Sequence, residues 1–149
     1  MSAPGSPIAW AMNPRAFVIS WNLTKLCNLE CRHCYIDAGP LKKGELAGEL
    51  STEECYRLID QMAEVAPEAL LILTGGEPLL RKDVFLIAKY AAERKFWPVV
   101  GTNGVTIDPP LVDRLMESGI KGMSLSLDAL EPAEHDRFRA VKGAWANTM

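Results

Sequence analysis

Apolar residues along this chain follow two different periods in turn. Residues 17–24 (FVISWNLT) put Phe17, Ile19, Trp21 and Leu23 on one side of an extended segment and Ser20, Asn22 and Thr24 on the other. That period of two predicts a first strand. Residues 52–65 switch to the helical period, with Cys55, Leu58, Ile59 and Met62 on one face. Ser51 is the expected N-cap, and Glu54 three residues later completes a capping-box pattern. Residues 70–74 (LLILT) read as a continuous apolar strand ending at Gly75-Gly76. A second helix is expected over 82–94 on Val84, Phe85, Ala88 and Ala91, and a third strand over 98–102, before Thr102-Asn103-Gly104. Asp108 caps a third helix that starts with prolines and carries Leu111, Val112, Leu115 and Met116 as its stripe. Residues 122–128 (GMSLSLD) read as a fourth strand, and a further helix is expected from Ala144.

Strands alternating with helices imply βαβ units, a parallel sheet and right-handed crossovers. Parallel strands are usually apolar on both faces because both are covered. The first and fourth strands are polar on one face, through Ser20, Asn22 and Thr24 and through Ser124, Ser126 and Asp128. A curved sheet or open barrel with a ligand cavity on its inner side fits that pattern better than a doubly wound sheet. The fourth strand would be an exposed parallel edge, so the chain reads as a fragment of a longer protein or as one that needs a partner.

Composition narrows the setting. Of 149 residues 48% are hydrophobic and 23% charged, as in a globular protein. A net charge of −3 supplies no basic footprint for nucleic acid or an anionic membrane, and no apolar run approaches the roughly 18 residues of a membrane span. Met1 to Ala16 contains Pro4, Pro7 and Pro14 and lacks the build of a signal peptide; it reads as an N-terminal extension. These features point to the cytoplasm.

Three of the four cysteines fall within eight residues: Cys27, Cys31 and Cys34. They follow the first strand directly, where α/β proteins place ligand-binding loops. Clustered thiolates suit iron–sulfur or zinc. A structural zinc or an ordinary ferredoxin cluster takes four protein ligands. The remaining cysteine, Cys55, lies on the apolar stripe of the first helix and reads as a core thiol. If Cys55 is core, an iron–sulfur cluster held by the other three has an iron without a protein thiolate.

The CxxxCxxC spacing of Cys27, Cys31 and Cys34 resembles the radical S-adenosylmethionine (SAM) superfamily. The resemblance extends over residues 17 to 145. It implies a partial (βα) TIM-type barrel of parallel strands, of which this chain carries the first four βα units in a core domain over 17–149 that is incomplete at its C-terminus. It implies a [4Fe–4S] cluster whose open iron is chelated by the amino and carboxylate groups of SAM. His33, where the family has an aromatic residue, would lie near the adenine or make a local loop contact. Gly75-Gly76-Glu77 matches the family's GGE motif, which binds the methionine amino group; the two glycines also allow close backbone approach to a ligand. Asn103 of the Thr-Asn-Gly segment would touch cofactor or serve the turn. Ser126 and Asp128 of a Ser-Leu-Asp segment would meet the ribose or the methionine carboxylate. Arg139, in a segment that resembles HDxxRG of members with an auxiliary-cluster domain, could pair with that carboxylate, with Ala140 standing where the family has glycine.

The group of the superfamily most resembled contains the coenzyme PQQ, molybdenum-cofactor and haem-biosynthesis enzymes. Trp21-Asn22-Leu23-Thr24 with Cys34-Tyr35 resembles the haem d1 and tetrapyrrole-modifying members. The implied activity is reductive cleavage of SAM to a 5′-deoxyadenosyl radical, with an electron from flavodoxin or ferredoxin and a small-molecule or peptide-derived substrate. Two rivals predict different ligand sets: an electron-transfer protein with Cys55 as fourth ligand, and a structural zinc module.

Overall fold

The computed structural model describes residues 17–40 and 48–149; the expected extension at 1–16 lies outside them. Four strands, β1 (Val18–Thr24), β2 (Leu70–Gly75), β3 (Trp97–Thr102) and β4 (Gly122–Leu125), form one parallel sheet in the order β1-β2-β3-β4. Helices α1 (Thr52–Val65), α2 (Val84–Glu93) and α3 (Pro109–Glu117) connect them, and α4 (Pro132–Arg139) and α5 (Ala144–Thr148) follow β4. Strand order equals chain order, as in a singly wound barrel; the order reversal that makes the crevice of a doubly wound sheet is missing from these four strands.

Local chemistry sets the helix starts. Ser51 Oγ accepts the Glu54 N–H at 3.2 Å, and the Glu54 carboxylate accepts the Ser51 N–H at 2.8 Å, so the expected capping box forms. Asp108 accepts the Leu111 N–H at 2.8 Å ahead of Pro109 and Pro110. One face of the sheet is packed by the helical stripes: Cys55 and Ile59 of α1, Val84, Ile87, Ala88 and Ala91 of α2, and Leu115 of α3 bury Leu71, Leu73 and Val100. Truncating Leu71 or Leu73 to alanine in such a core costs about 2–5 kcal/mol.

The two-faced first strand is present. Leu23 joins the core and Ile19 and Trp21 pack against it, while Ser20 and Asn22 stay exposed on the other side. Asn22 pairs in register with Thr74, and Gly101 with Ser124, so a polar row crosses the open face near the carboxyl ends of the strands. Pairing between β1 and β2 slips between Asn22 and Thr24, an irregularity of the kind found beside functional sites.

Three boundaries differ from expectation. The fourth strand stops at Leu125 instead of 128, so Ser126 to Asp128 form a loop, and all four β4 residues are exposed. The second helix begins at Val84, after a short 3-10 turn at Pro78–Leu80. Residues Pro132–Arg139, expected as a charged segment without an element of their own, form α4.

Candidate functional site

A cavity of about 480 Å³ lies beyond the carboxyl ends of the strands, within the usual range for small-molecule sites. Its walls are the cysteine loop after β1, the ends of β2 (Thr74 to Gly76) and β3 (Gly101 to Asn103), the segment Ser124 to Asp128, and Arg139 from α4. The strands run their polar row into this space.

The cysteine loop is closed at its base. Cys27 N–H donates to Gly39 O at 3.0 Å, and Gly39 N–H donates to Lys25 O at 3.1 Å. Within the loop each clustered sulfur faces an N–H. Leu29 N lies 3.4 Å and Asn103 Nδ2 3.9 Å from Cys27 Sγ, Arg139 Nη1 3.8 Å from Cys31 Sγ, and Ala38 N 3.3 Å from Cys34 Sγ. Burial pushes the Cys27 thiol up, with neighbouring Glu77 and Cys31 adding to the effect, while the N–H groups of Leu29 and Asn103 oppose it. N–H donors aimed at sulfur are what thiolate ligands of iron–sulfur clusters require, since such hydrogen bonds offset charge on the sulfur. The donor set therefore fits a cluster with three protein ligands.

Cys55 stands apart. It is fully buried in the helix-packed core, lines no part of the cavity, and its sulfur lies 3.5 Å from Arg81 Nη2. A fourth thiolate from this residue would have to leave the core. A single zinc needs its ligands to converge on one point; among the described residues no three His, Cys, Asp or Glu side chains do so.

Gly75 and Gly76 line the cavity, but their first function is internal. A Cβ on Gly75 would meet Thr24 O at 2.4 Å, and one on Gly76 would meet Leu26 O at 2.3 Å. Gly75 also sits at φ +133°, a conformation that favours glycine. The close approach is thus to the cysteine loop's own entry, sealed by Gly76 N–H to Thr24 O at 2.7 Å and Glu77 N–H to Leu26 O at 2.8 Å. Glu77 is fully buried and does not border the cavity. Its carboxylate accepts the Thr102 hydroxyl at 2.9 Å, the Asn103 N–H at 2.9 Å and the Leu79 N–H at 3.1 Å. Burial raises its pKa against those three donors. Asn103 serves the expected turn, where Oδ1 accepts the Val105 N–H at 2.9 Å, and its Nδ2 donates to Asn28 Oδ1 at 2.7 Å at the cavity wall.

On the far wall, Arg139 gathers the end of β4. Nε donates to Asp128 Oδ2 at 2.5 Å, Nη2 to Ser126 O at 3.3 Å, and Nη1 points at Cys31. Asp128 N–H in turn donates to Nδ1 of the buried His135 at 3.3 Å. The same end of α4 holds the cysteine loop through Arg32 N–H to Phe138 O at 3.4 Å and through the His33 ring, tilted 39° to Phe138 with centroids 4.4 Å apart. Ala140 terminates α4 in the left-handed region at φ +57°, which explains a preference for glycine at this position.

Residues 21–149 match the Radical SAM superfamily. The chain belongs to that superfamily. A [4Fe–4S] cluster and SAM are the cofactors of radical SAM proteins. Among curated relatives, the AdoMet-dependent heme synthase of Methanosarcina barkeri is 40% identical over 95% of this chain and 39% of its own length. The pre-heme d1 synthase of Dinoroseobacter shibae is 36% identical over 89% of this chain and 31% of its own. The chain thus spans between about three and four tenths of the length of these curated relatives. Among solved structures, anSMEcpe with bound AdoMet superposes with a TM-score of 0.66 at 19% identity, covering 88% of this chain and 38% of that one. At that identity the likeness concerns the fold, a partial barrel of parallel strands.

For a radical SAM chain the structure brings together Cys27, Cys31, Cys34, His33, Gly75, Gly76, Asn103, Ser126, Asp128 and Arg139 around one cavity. Glu77 stands behind its wall. Sequence reasoning missed Thr74, Thr102 and Tyr35 as lining residues, and His135 as the buried support of Asp128. The alternation of polar residues could have drawn in Thr74. Nothing in a charged stretch announced that His135 would be only 1% exposed.

Proposed function

We propose that this chain is the cluster-bearing part of a radical SAM enzyme that modifies a tetrapyrrole. The single observation behind the proposal is the ligand arrangement: three N–H-supported thiols on one loop face a cavity of cofactor size, and the fourth thiol is packed elsewhere in the core. Cys27, Cys31 and Cys34 would hold the cluster and leave one iron open to SAM. Bound there and reduced, the cluster would supply the electron for reductive cleavage of SAM to methionine and a 5′-deoxyadenosyl radical, which would take hydrogen from substrate.

The chain's own residues position the cofactor. The backbone of Gly75 and Gly76, which lines the cavity, would meet the methionine amino group, and His33 would border the adenine. Asn103, Ser126 and Asp128 supply polar contacts for ribose and methionine. Arg139 has two N–H groups left after its contacts to Asp128, Cys31 and Ser126, enough for the methionine carboxylate. Glu77 acts from behind by holding Thr102 and Asn103. A tetrapyrrole substrate is supported by the activities named for the two relatives above. Residues 17–149 form part of the catalytic core, completed by the remaining length those relatives possess. Flavodoxin or ferredoxin is the electron donor, and cysteines clustered on one loop instead of spread to staple distant segments favour a reducing compartment, the cytoplasm. No helix among the described residues is long and apolar enough to cross a membrane.

The test is SAM cleavage by the full-length protein, reconstituted with iron and sulfide without oxygen and reduced with dithionite. Chromatography should find 5′-deoxyadenosine, and Cys31→Ala should abolish it. Cluster-loaded, reduced wild-type protein that yields none overturns the proposal.

A further inference from the structure

We infer that Arg139 and Asp128 form a charge pair that sets the reduction potential of the cluster through Cys31. The inference rests on the ligand assignment above and goes beyond a role in gripping the cofactor. Arg139 is 8% exposed, and its guanidinium makes its contacts inside the protein. Nη1 lies 3.8 Å from Cys31 Sγ, while Nε is fixed on Asp128 Oδ2 at 2.5 Å and Nη2 on Ser126 O at 3.3 Å. The fork is thus held by two anchors on the β4 side while its third edge faces the sulfur. Asp128 is itself held by its backbone N–H on His135 Nδ1 at 3.3 Å. Both anchors belong to the chain itself, so the guanidinium's place beside the sulfur does not depend on a contact to SAM.

The sign follows from charge. One-electron reduction, with the electron supplied by an external reductant, adds negative charge to the cluster and its thiolates. A cation beside a ligand sulfur favours the reduced form, and an anion disfavours it. Here the cation faces the sulfur and the anion sits behind it. Removing Arg139 deletes the favourable charge and leaves Asp128 uncompensated, two changes of the same sign. Removing the charge of Asp128 leaves the guanidinium in place, because an asparagine oxygen still accepts from Nε.

Full-length protein with reconstituted cluster is titrated with dithionite through mediators, without SAM, and the reduced fraction is read by electron paramagnetic resonance. Arg139→Gln should lower the reduced-to-oxidised ratio at the wild-type midpoint by about ten- to a hundredfold, the worth of one charge-assisted hydrogen bond. Asp128→Asn should shift the ratio the opposite way, and Arg139→Lys should fall between wild type and Arg139→Gln. Opposite signs support the inference. A pair that serves only to pack α4, or only to bind the methionine carboxylate, leaves all SAM-free midpoints together or moves the Arg139 and Asp128 variants in the same direction; either result overturns it. Wild-type protein that assembles no iron–sulfur chromophore overturns the ligand assignment, and this inference with it; a normal cluster with unmoved midpoints refutes this inference alone.

Discussion

Replacing Gly76 by alanine tests how the cysteine loop is attached to the sheet. A Cβ there would stand 2.3 Å from Leu26 O, 2.8 Å from Leu26 C and 3.0 Å from Lys25 O. An ordinary contact needs about 3.4 Å, so the Leu26 carbonyl must retreat by about 1 Å, and backbone cannot swing aside as a long side chain does. The retreat strains the Glu77 N–H to Leu26 O hydrogen bond at 2.8 Å. Overpacking costs about 1–3 kcal/mol and a weakened hydrogen bond about 1 kcal/mol. The alanine recovers about 0.4–1 kcal/mol by restricting the unfolded chain. The net is a loss of about 2 kcal/mol, or about 1 M in the urea midpoint for a slope near 2 kcal/mol per M. Gly39→Ala is the control in the same loop, because its Cβ would find nothing nearer than 4.0 Å. That variant should unfold at the wild-type midpoint or slightly above it. Urea unfolding of the cluster-free protein, read by tryptophan fluorescence, measures both. Because Leu26 adjoins Cys27, Gly76→Ala should also retain less iron after reconstitution. A Gly76→Ala midpoint within error of wild type, or a greater loss in Gly39→Ala, would refute the reasoning.

Other expectations follow from single residues. Ala140→Gly removes a left-handed strain at the end of α4 and should stabilise the protein by about 1 kcal/mol, raising its thermal midpoint. Cys55→Ala should cost stability as a buried truncation but leave the iron content and the cluster spectrum unchanged; loss of iron would revive Cys55 as a ligand. For Glu77→Gln the difference from wild type depends on pH. Burial raises the Glu77 carboxyl above its ordinary 4.5, so the folded protein keeps a proton that the unfolded chain has released. The stabilisation from that proton is complete below 4.5 and is lost as pH rises through the folded value. Wild type should therefore lose stability relative to Glu77→Gln over that interval and run parallel to it above; a constant difference from pH 4 upward would contradict the burial of an ionisable group.

The sequence was most readable where local chemistry acted alone. The Ser51–Glu54 capping box, the Asp108 cap and the alternation of β1 all depend on neighbours a few residues away, and each appears as expected. Helix α4 was missed although Pro132 after Glu131 is a start signal, because its polar surface offers little apolar stripe to read. The fourth strand was drawn too long because Ser-Leu-Ser-Leu-Asp continues the alternation past Leu125, where pairing with β3 ends. At the site, the cysteine spacing was legible because all three ligands share one loop. The work of Glu77 was not, since Thr102 and Asn103 lie 25 and 26 residues away and meet it only when β2 and β3 pair. The Gly75-Gly76 pair suggests room for a ligand, whereas its tightest contacts are with Thr24 and Leu26, a relation that only the pairing of β1 with β2 creates.

The central claim is that Cys27, Cys31 and Cys34 hold a cluster with one iron open to SAM. Full-length protein, reduced and loaded, is examined by electron paramagnetic resonance and electron–nuclear double resonance with SAM labelled by 15N at its amino group. The account predicts a spectrum changed by SAM, with hyperfine coupling to the label, in wild type and in Cys55→Ala alike. A spectrum identical with and without SAM, lacking any coupling, would mean that no iron takes SAM as a ligand and would contradict the account.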